Sequence, residues 1–194
     1  TLREVTDWLE KTKKVPCLPL GFENAYAVAV PGATAKQLDD SLENLAKYAR
    51  TRGRLKIAGD NMIFLRPEWR KLKEVYGLNG IPIEDTAMDP TLMYGAIKNG
   101  EVDATIAYTS DGRIPRKRLK VLDDPEQAFP PYDAILLLSR AAAKRPSLRA
   151  ALEPLVGAIS LELMQKANYR VDVESWTPRR SAEELLPKIG GATK

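Results

Sequence analysis

The chain has 194 residues, 44% hydrophobic and 29% charged, and its 30 basic and 26 acidic residues leave a formal net charge of +4. It has no histidine and a single cysteine, Cys17, which excludes Ser-His-Asp and Cys-His catalysis, histidine proton relays, zinc sites built on histidine or paired cysteines, iron–sulfur clusters and an internal disulfide. Such a balanced charge also argues against nucleic acid, which needs cations clustered on one face.

Thr1 and Glu4 match a capping box, and Leu2, Val5, Trp8 and Leu9 share a helical face, so a helix opens the chain. It should end near Lys13, because Pro16 and Pro19 forbid continuation. Phe22 to Val30 is a β-type apolar run stopped by Pro31 and Gly32. Ser41 to Arg50 reads as a helix with Leu42, Leu45, Ala46 and Ala49 inward and Gly53 as its stop. A short strand over Leu55 to Ala58 follows, and Pro67 opens a helix that runs to Tyr76 and ends at Gly77.

Ile81 to Thr86 is a strand, Pro90 to Lys98 a helix closed by Asn99 and Gly100, and Val102 to Tyr108 a β-branched strand. Asp111 and Gly112 turn the chain. The basic run from Arg113 to Lys120 leads as a solvated turn into short β at Leu119 to Leu122, and Asp123, Asp124 and Glu126 follow it. Ala134 to Leu138 is a continuous apolar strand, as expected for one buried on both faces. From Ala141 onward the pattern is helical, in pieces broken at Pro146, around Asn168 to Asp172, and at Pro178. No apolar run reaches the ~20 residues of a membrane span, and no signal peptide is visible.

Helices alternating with short strands over residues 20–138 indicate an α/β layered sheet. Ligands of such sheets bind at the carboxyl ends of strands, and polar or aromatic residues stand there. Tyr26 lies in the first strand, with Asn24 two residues before it and hence on the same strand face. Tyr108 ends its strand, Tyr132 precedes another, and Arg66 adjoins Pro67 at a helix start. Tyrosine faces attract a poorly hydrated cation such as a quaternary ammonium, and a guanidinium fork suits a carboxylate; a ligand with both ends is a betaine. Spacing alone leaves the plainer alternative open, with the tyrosines as amphipathic edge residues and Arg66 paired with Glu68 or Asp60.

Four stretches bear on that choice: Gly21–Val30 (GFENAYAVAV), Phe64–Pro67 (FLRP) with Tyr76–Leu78 (YGL), Tyr94–Arg113 (YGAIKNGEVDATIAYTSDGR), and Leu119–Asp124 (LKVLDD) with Phe129–Tyr132 (FPPY). In order and spacing, over roughly residues 15–170, they resemble the substrate-binding protein of ABC importers for glycine betaine, choline and related osmoprotectants. The resemblance implies a type II periplasmic-binding-protein fold, no enzyme activity, no cofactor and no metal. It implies an aromatic box at Tyr26, Tyr108 and Tyr132, a carboxylate-binding Arg66 and a polar contact from Asn24, with Asp111 a second-tier candidate in a turn where Thr109 and Ser110 reverse the family's usual order.

The implied partners are a small quaternary amine (glycine betaine, proline betaine or choline) and an ABC permease subunit, with no nucleic acid. The implied location is periplasmic or extracytoplasmic, membrane-associated through the transporter, where closure of two lobes about a hinge captures ligand. Family members begin with another lobe segment of about a hundred residues bearing a GSK-x-FTE-like motif, which nothing here matches. The expected organisation is a helix and hinge entry at 1–19, an α/β ligand-binding lobe at 20–138 and, at 139–194, C-terminal helices of an incomplete partner lobe. Unmated apolar surface there, including Leu148, Leu152, Leu161, Leu163 and Met164, predicts self-association. Two rival readings are the effector-binding lobe of a transcription regulator, which needs a helix-turn-helix not seen before Thr1, and a structural interaction domain without small-molecule ligand. An enzyme reading would rest on Asp39-Asp40 or Asp123-Asp124, and adjacent carboxylates are poor dyads that read better as turn or cap residues.

Overall fold

Thr1 caps the first helix as its sequence predicts. In the computed structural model, which describes residues 1–189, the Thr1 hydroxyl accepts from the Glu4 N–H, and the Glu4 carboxylate returns to the amino terminus at 2.5 Å. Helix α1 (Leu2–Trp8) continues into a π-helical turn (Leu9–Lys13), so the helical stretch stops at the predicted residue. Then come β1 (Cys17–Glu23), β2 (Tyr26–Pro31), α2 (Gly32–Gln37), a 3₁₀ turn (Leu42–Asn44), α3 (Leu45–Arg52) and β3 (Leu55–Gly59). A second 3₁₀ turn (Ile63–Leu65) leads to α4 (Pro67–Val75), β4 (Ile83–Ala87), α5 (Pro90–Lys98), β5 (Ala104–Tyr108), α6 (Arg113–Arg116), β6 (Leu119–Val121) and β7 (Asp133–Leu137). The chain continues through α7 (Arg140–Ala143), α8 (Pro146–Leu152), a 3₁₀ turn (Glu153–Leu155), α9 (Leu161–Asp172) and α10 (Pro178–Ile189).

Two compact units result. One is Ala25–Pro130; the other is Thr1–Asn24 with the chain from Pro131 onward. Residues 20–24 and 131–138, which the sequence reading places with the ligand lobe, lie in the second of these.

The Ala25–Pro130 unit is built on a five-stranded sheet of order β4-β3-β5-β2-β6. Strand β3 is parallel to β4 and β5, while β2 is antiparallel to both β5 and β6, so β2 alone runs against the other four. Alternation along β2 sends Val28 and Val30 into a core with Leu38, Leu42, Leu45, Ala49, Trp69 and Leu72. The opposite face carries Ala29, Ala58 and Ala107 against Met93, Tyr94 and Ile97 of α5. Both faces are covered, which is why these strands read as nearly unbroken apolar runs.

In the other unit β1 pairs antiparallel with β7, from Cys17 opposite Leu137 to Pro19 opposite Ile135. Gly21 lies at φ 106°, and a Cβ there would come within 2.8 Å of the Gly157 carbonyl carbon, so only glycine fits this approach. Helices α9 and α10 are joined by the Ser181 hydroxyl donating to the Ala167 carbonyl at 2.9 Å and by an Arg170–Glu184 ion pair. The Trp176 ring lies 4.6 Å from the Arg170 guanidinium and 3.8 Å from that of Arg180.

Four expectations need correction. The run Phe22 to Val30 is two strands, because the chain leaves one unit and enters the other at Asn24 and Ala25; Asn24 is therefore outside β2, and strand alternation does not put it on the Tyr26 face. Pro31 and Gly32 stop β2 as predicted but also open the unanticipated helix α2, whose alanine-containing segment buries Ala35. Strand β7 is not buried on both faces: it has a single neighbour in a two-stranded sheet, and Leu137 is 50% exposed. Helix α9 runs unbroken through Asn168 to Asp172, and the interruption comes after Asp172; packing against α10 outweighs the weak helix propensity of Asn and Asp.

Candidate functional site

The reversed direction of β2 is what assembles the site. An antiparallel neighbour brings the first residue of β2 beside the last residue of β5, and the register sets Tyr26 directly opposite Tyr108. The pair is locked just beyond the ladder, where the Thr109 N–H donates to the Ala25 carbonyl at 2.8 Å and the Ala25 N–H donates to the Thr109 hydroxyl at 3.1 Å. The two rings lie 4.6 Å apart, tilted by 30°, within the offset geometry that aromatic pairs favour. Tyr26 is buried at 5% exposure and backed by Phe129, 6.3 Å away. Tyr108 stays partly exposed and is the ring of the pair that faces solvent.

At the carboxyl end of parallel strand β3 the chain turns sharply through Asp60. Gly59 permits a close approach here, since a Cβ would sit 2.5 Å from Ile63 Cγ2 and 2.9 Å from Phe64 Cζ and would force these side chains to shift. The Asp60 Oδ1 atom accepts from the Met62 and Ile63 N–H groups, each at 2.8 Å, which fixes the carboxylate and caps the 3₁₀ turn. Its Oδ2 atom lies 3.1 Å from the hydroxyl oxygens of both Tyr26 and Tyr108, which are 2.8 Å from each other. Tyr26 thus donates to Asp60, and Tyr108 shares its proton between the carboxylate and the Tyr26 oxygen.

Burial pushes both phenols above the ordinary tyrosine range, and the Asp60 charge adds to the rise. Burial also pushes the Asp60 carboxyl upward, but the two N–H groups and two phenols that donate to it outweigh this and hold it below the ordinary aspartate value. Asp60 is ionised at neutral pH.

Pro67 at the first position of α4 drives the preceding residue to an extended conformation, and Arg66 accordingly has φ −83° and ψ 152°. Its guanidinium carbon lies 5.6 Å from the centre of the Tyr26 ring, and its Nη1 atom is 3.9 Å from Glu68 Oε1. The side chain is 41% exposed, so part of the guanidinium reaches solvent at this edge, and a guanidinium fork suits a carboxylate. Tyr26, Tyr108 and Arg66 are therefore brought together within one unit. Asn24 and Tyr132 belong to the other unit, where the Asn24 N–H donates to the Tyr132 carbonyl at 2.9 Å. Asp111, the second-tier candidate, takes four hydrogen bonds from Arg113, whose guanidinium stacks on Tyr94 at 4.7 Å.

Sequence reading passed over Asp60 and Phe129 as members of this cluster. The available signal for Asp60 was a short acidic residue directly after a strand. For Phe129 the signal lay in Asp124: its carboxylate accepts from Tyr76 and from the Ala128 and Phe129 N–H groups, both at 2.9 Å, and so sets the loop that delivers the ring. Asp124 is a loop-capping residue, as its adjacency to Asp123 suggested.

Residues 3–188 match the substrate-binding domain of the ABC-type glycine betaine transport system, OpuAC. The chain belongs to this family. It is 34% identical over 171 residues to the carnitine transport binding protein OpuCC of Listeria monocytogenes, covering 87% of this chain and 54% of that protein. It is 30% identical over 177 residues to a glycine-betaine-binding protein of Pseudomonas aeruginosa, covering 87% of this chain and 57% of that one. The chain spans about half the length of these curated relatives. A crystal structure of a glycine betaine/carnitine/choline ABC transporter protein superposes with a TM-score of 0.83 at 30% identity, over 96% of this chain and 68% of that one.

The fold is accordingly that of type II periplasmic binding proteins, and OpuAC-family members are transport proteins that bind substrate rather than enzymes. Family membership sets aside the transcription-regulator reading. Substrate-binding proteins of ABC importers are extracytoplasmic, and no described helix is long and apolar enough to cross a membrane.

Proposed function

We propose that the chain carries the ligand-binding lobe of a solute-binding protein for quaternary-amine osmoprotectants of the glycine betaine, proline betaine or choline type. The protein hands its ligand to an ABC permease and is held at the membrane through that transporter. In this reading the faces of Tyr26, Tyr108 and Tyr132 take the cation, Arg66 takes a carboxylate and Asn24 adds a polar contact. The observation that carries it is the pair of tyrosine rings 4.6 Å apart with a guanidinium 5.6 Å from one of them at the carboxyl edge of the sheet. The names of the relatives, which bind carnitine and glycine betaine, support the same ligand class.

The test is calorimetric titration of glycine betaine and choline into this 194-residue chain and into the full-length protein. Even three exposed cation–π contacts would supply only ~1.5–3 kcal/mol, less than the ~4 kcal/mol of a millimolar complex, and Tyr26 is buried, so the chain alone should bind at millimolar affinity or weaker. The full-length protein should bind both ligands. Arg66→Ala should weaken glycine betaine about tenfold or more, the worth of a charge-assisted hydrogen bond, and leave choline nearly unchanged. Absence of binding by both polypeptides would overturn the reading.

We assign the helices from residue 139 onward to the partner lobe, and their exposed apolar surface supports self-association of the isolated chain. Among the described residues of the unit that contains them the buried apolar ones are few (Cys17, Leu18, Leu138, Ile159 and Ile189), while Val156, Val173 and Leu186 are 40%, 45% and 58% exposed. Leu148, Leu152, Leu161, Leu163 and Met164 are half-buried. Apolar surface of this kind drives association, and light scattering coupled to size exclusion should return a mass of at least two chains. A monomeric mass would contradict the assignment of an interface here.

A further inference from the structure

We propose that Asp60 is the fixed counter-charge and the positioning residue of the cation site, selecting a ligand group that is positively charged yet offers no hydrogen bond. The proposal rests on the quaternary-amine reading above and adds to it a residue that acts through the two tyrosines. Three features of the geometry carry it.

First, the carboxylate cannot swing away. One oxygen is held by the Met62 and Ile63 N–H groups at 2.8 Å, so the other is presented to the tyrosines in a single orientation. Second, that second oxygen holds both hydroxyls at 3.1 Å and so sets where the two rings stand relative to each other. Third, both phenol protons are committed within the cluster, to Asp60 and between the two hydroxyls. A ligand carboxylate approaching the rings would find an anion at their hydroxyl edge and no phenol proton to meet it. A trimethylammonium group needs neither donor nor acceptor, and it meets a ring face with a negative charge at the hydroxyl edge.

The same arrangement orients a zwitterion. Asp60 repels the anionic end from the rings, and Arg66, 5.6 Å from the Tyr26 ring, receives it. An anion about 6 Å from a bound cation at an effective dielectric of about 20 changes affinity roughly ten- to a hundredfold. Asp60 also caps the 3₁₀ turn, and that duty must be separated from its charge. Asparagine and serine both cap such turns well, so Asp60→Asn and Asp60→Ser remove the charge and keep the cap, and either one suffices if the other fails to fold.

The experiment compares choline with its neutral carbon isostere, 3,3-dimethylbutan-1-ol, titrated into the full-length protein and both variants. Wild type should prefer choline, and the variants should narrow that preference about tenfold or more by losing affinity for choline and not for the alcohol. Equal losses on both probes, or an unchanged preference, would show Asp60 to be a turn cap only and would leave the quaternary-amine reading standing. Failure of wild type to bind choline or glycine betaine would instead remove that reading, and this inference with it. A ligand-free arm reads the contact between Asp60 and the ring that faces solvent: loss of the carboxylate should lower the pH at which Tyr108 ionises, followed by tyrosinate absorbance. An unchanged titration would overturn the positioning role.

Discussion

Replacing Tyr108 by alanine in the full-length protein should weaken quaternary-amine binding at least about a hundredfold. Tyr108 is the partly exposed ring of the stacked pair, whereas Tyr26 stands behind it at 5% exposure. Truncation removes a cation–π face worth ~2 kcal/mol once desolvated. It also takes away the donor that Tyr108 shares between the Tyr26 oxygen and Asp60, so these two groups are no longer held in place before ligand arrives, and ordering them on binding costs ~0.5–1.5 kcal/mol for each side chain. Together these losses reach ~3–5 kcal/mol, a factor of a hundred or more. Tyr108→Phe keeps the ring and loses only the hydrogen bonds, so its loss should be nearer tenfold. Calorimetry with glycine betaine measures both, and a Tyr108→Ala protein with near wild-type affinity would show that this ring is not a wall of the site.

Trp69→Ala should cost ~3–5 kcal/mol of folding stability, the usual cost of emptying a buried tryptophan site. Trp69 is 2% exposed on the inner face of α4, and it meets Phe64 edge-on with ring centres 5.2 Å apart. The substitution opens a cavity against Phe64, in the segment from Asp60 to Arg66 that carries the anion and the guanidinium. Against a typical domain stability of about 5–15 kcal/mol, the loss is large enough to leave a substantial unfolded fraction. Urea denaturation of the chain followed by circular dichroism measures it, and a shift below about 1 kcal/mol would place Trp69 outside the cooperative core. Because α4 begins at Pro67, immediately after Arg66, a destabilised α4 should also weaken carboxylate recognition more than cation recognition.

Residue chemistry made several parts of this protein legible in advance. The capping box at Thr1 and Glu4, proline at the first position of α4 and α5, and glycine just past α3 and α4 are local signals, and they marked element boundaries closely. The apolar runs over β3 and β5 marked buried strands because helices cover both faces of that sheet. The run at β7 misled for the same reason in reverse: Ala134 to Leu138 is as apolar as a central strand, but how many strands flank it is not a local property. Asn24 failed similarly, since alternation along one strand was assumed where the chain passes between two units.

The sequence by itself determined the family, the strand-end tyrosines and the arginine before α4, because order, spacing and residue type survive without coordinates. Only the tertiary structure decided that Tyr26 is a buried backing ring, that Tyr108 is the exposed one, and that Asp60 joins them. Those facts depend on the antiparallel register of β2 against β5 and on the turn that follows β3. Both bring together residues 34 to 82 positions apart in the chain, a separation across which no local propensity acts.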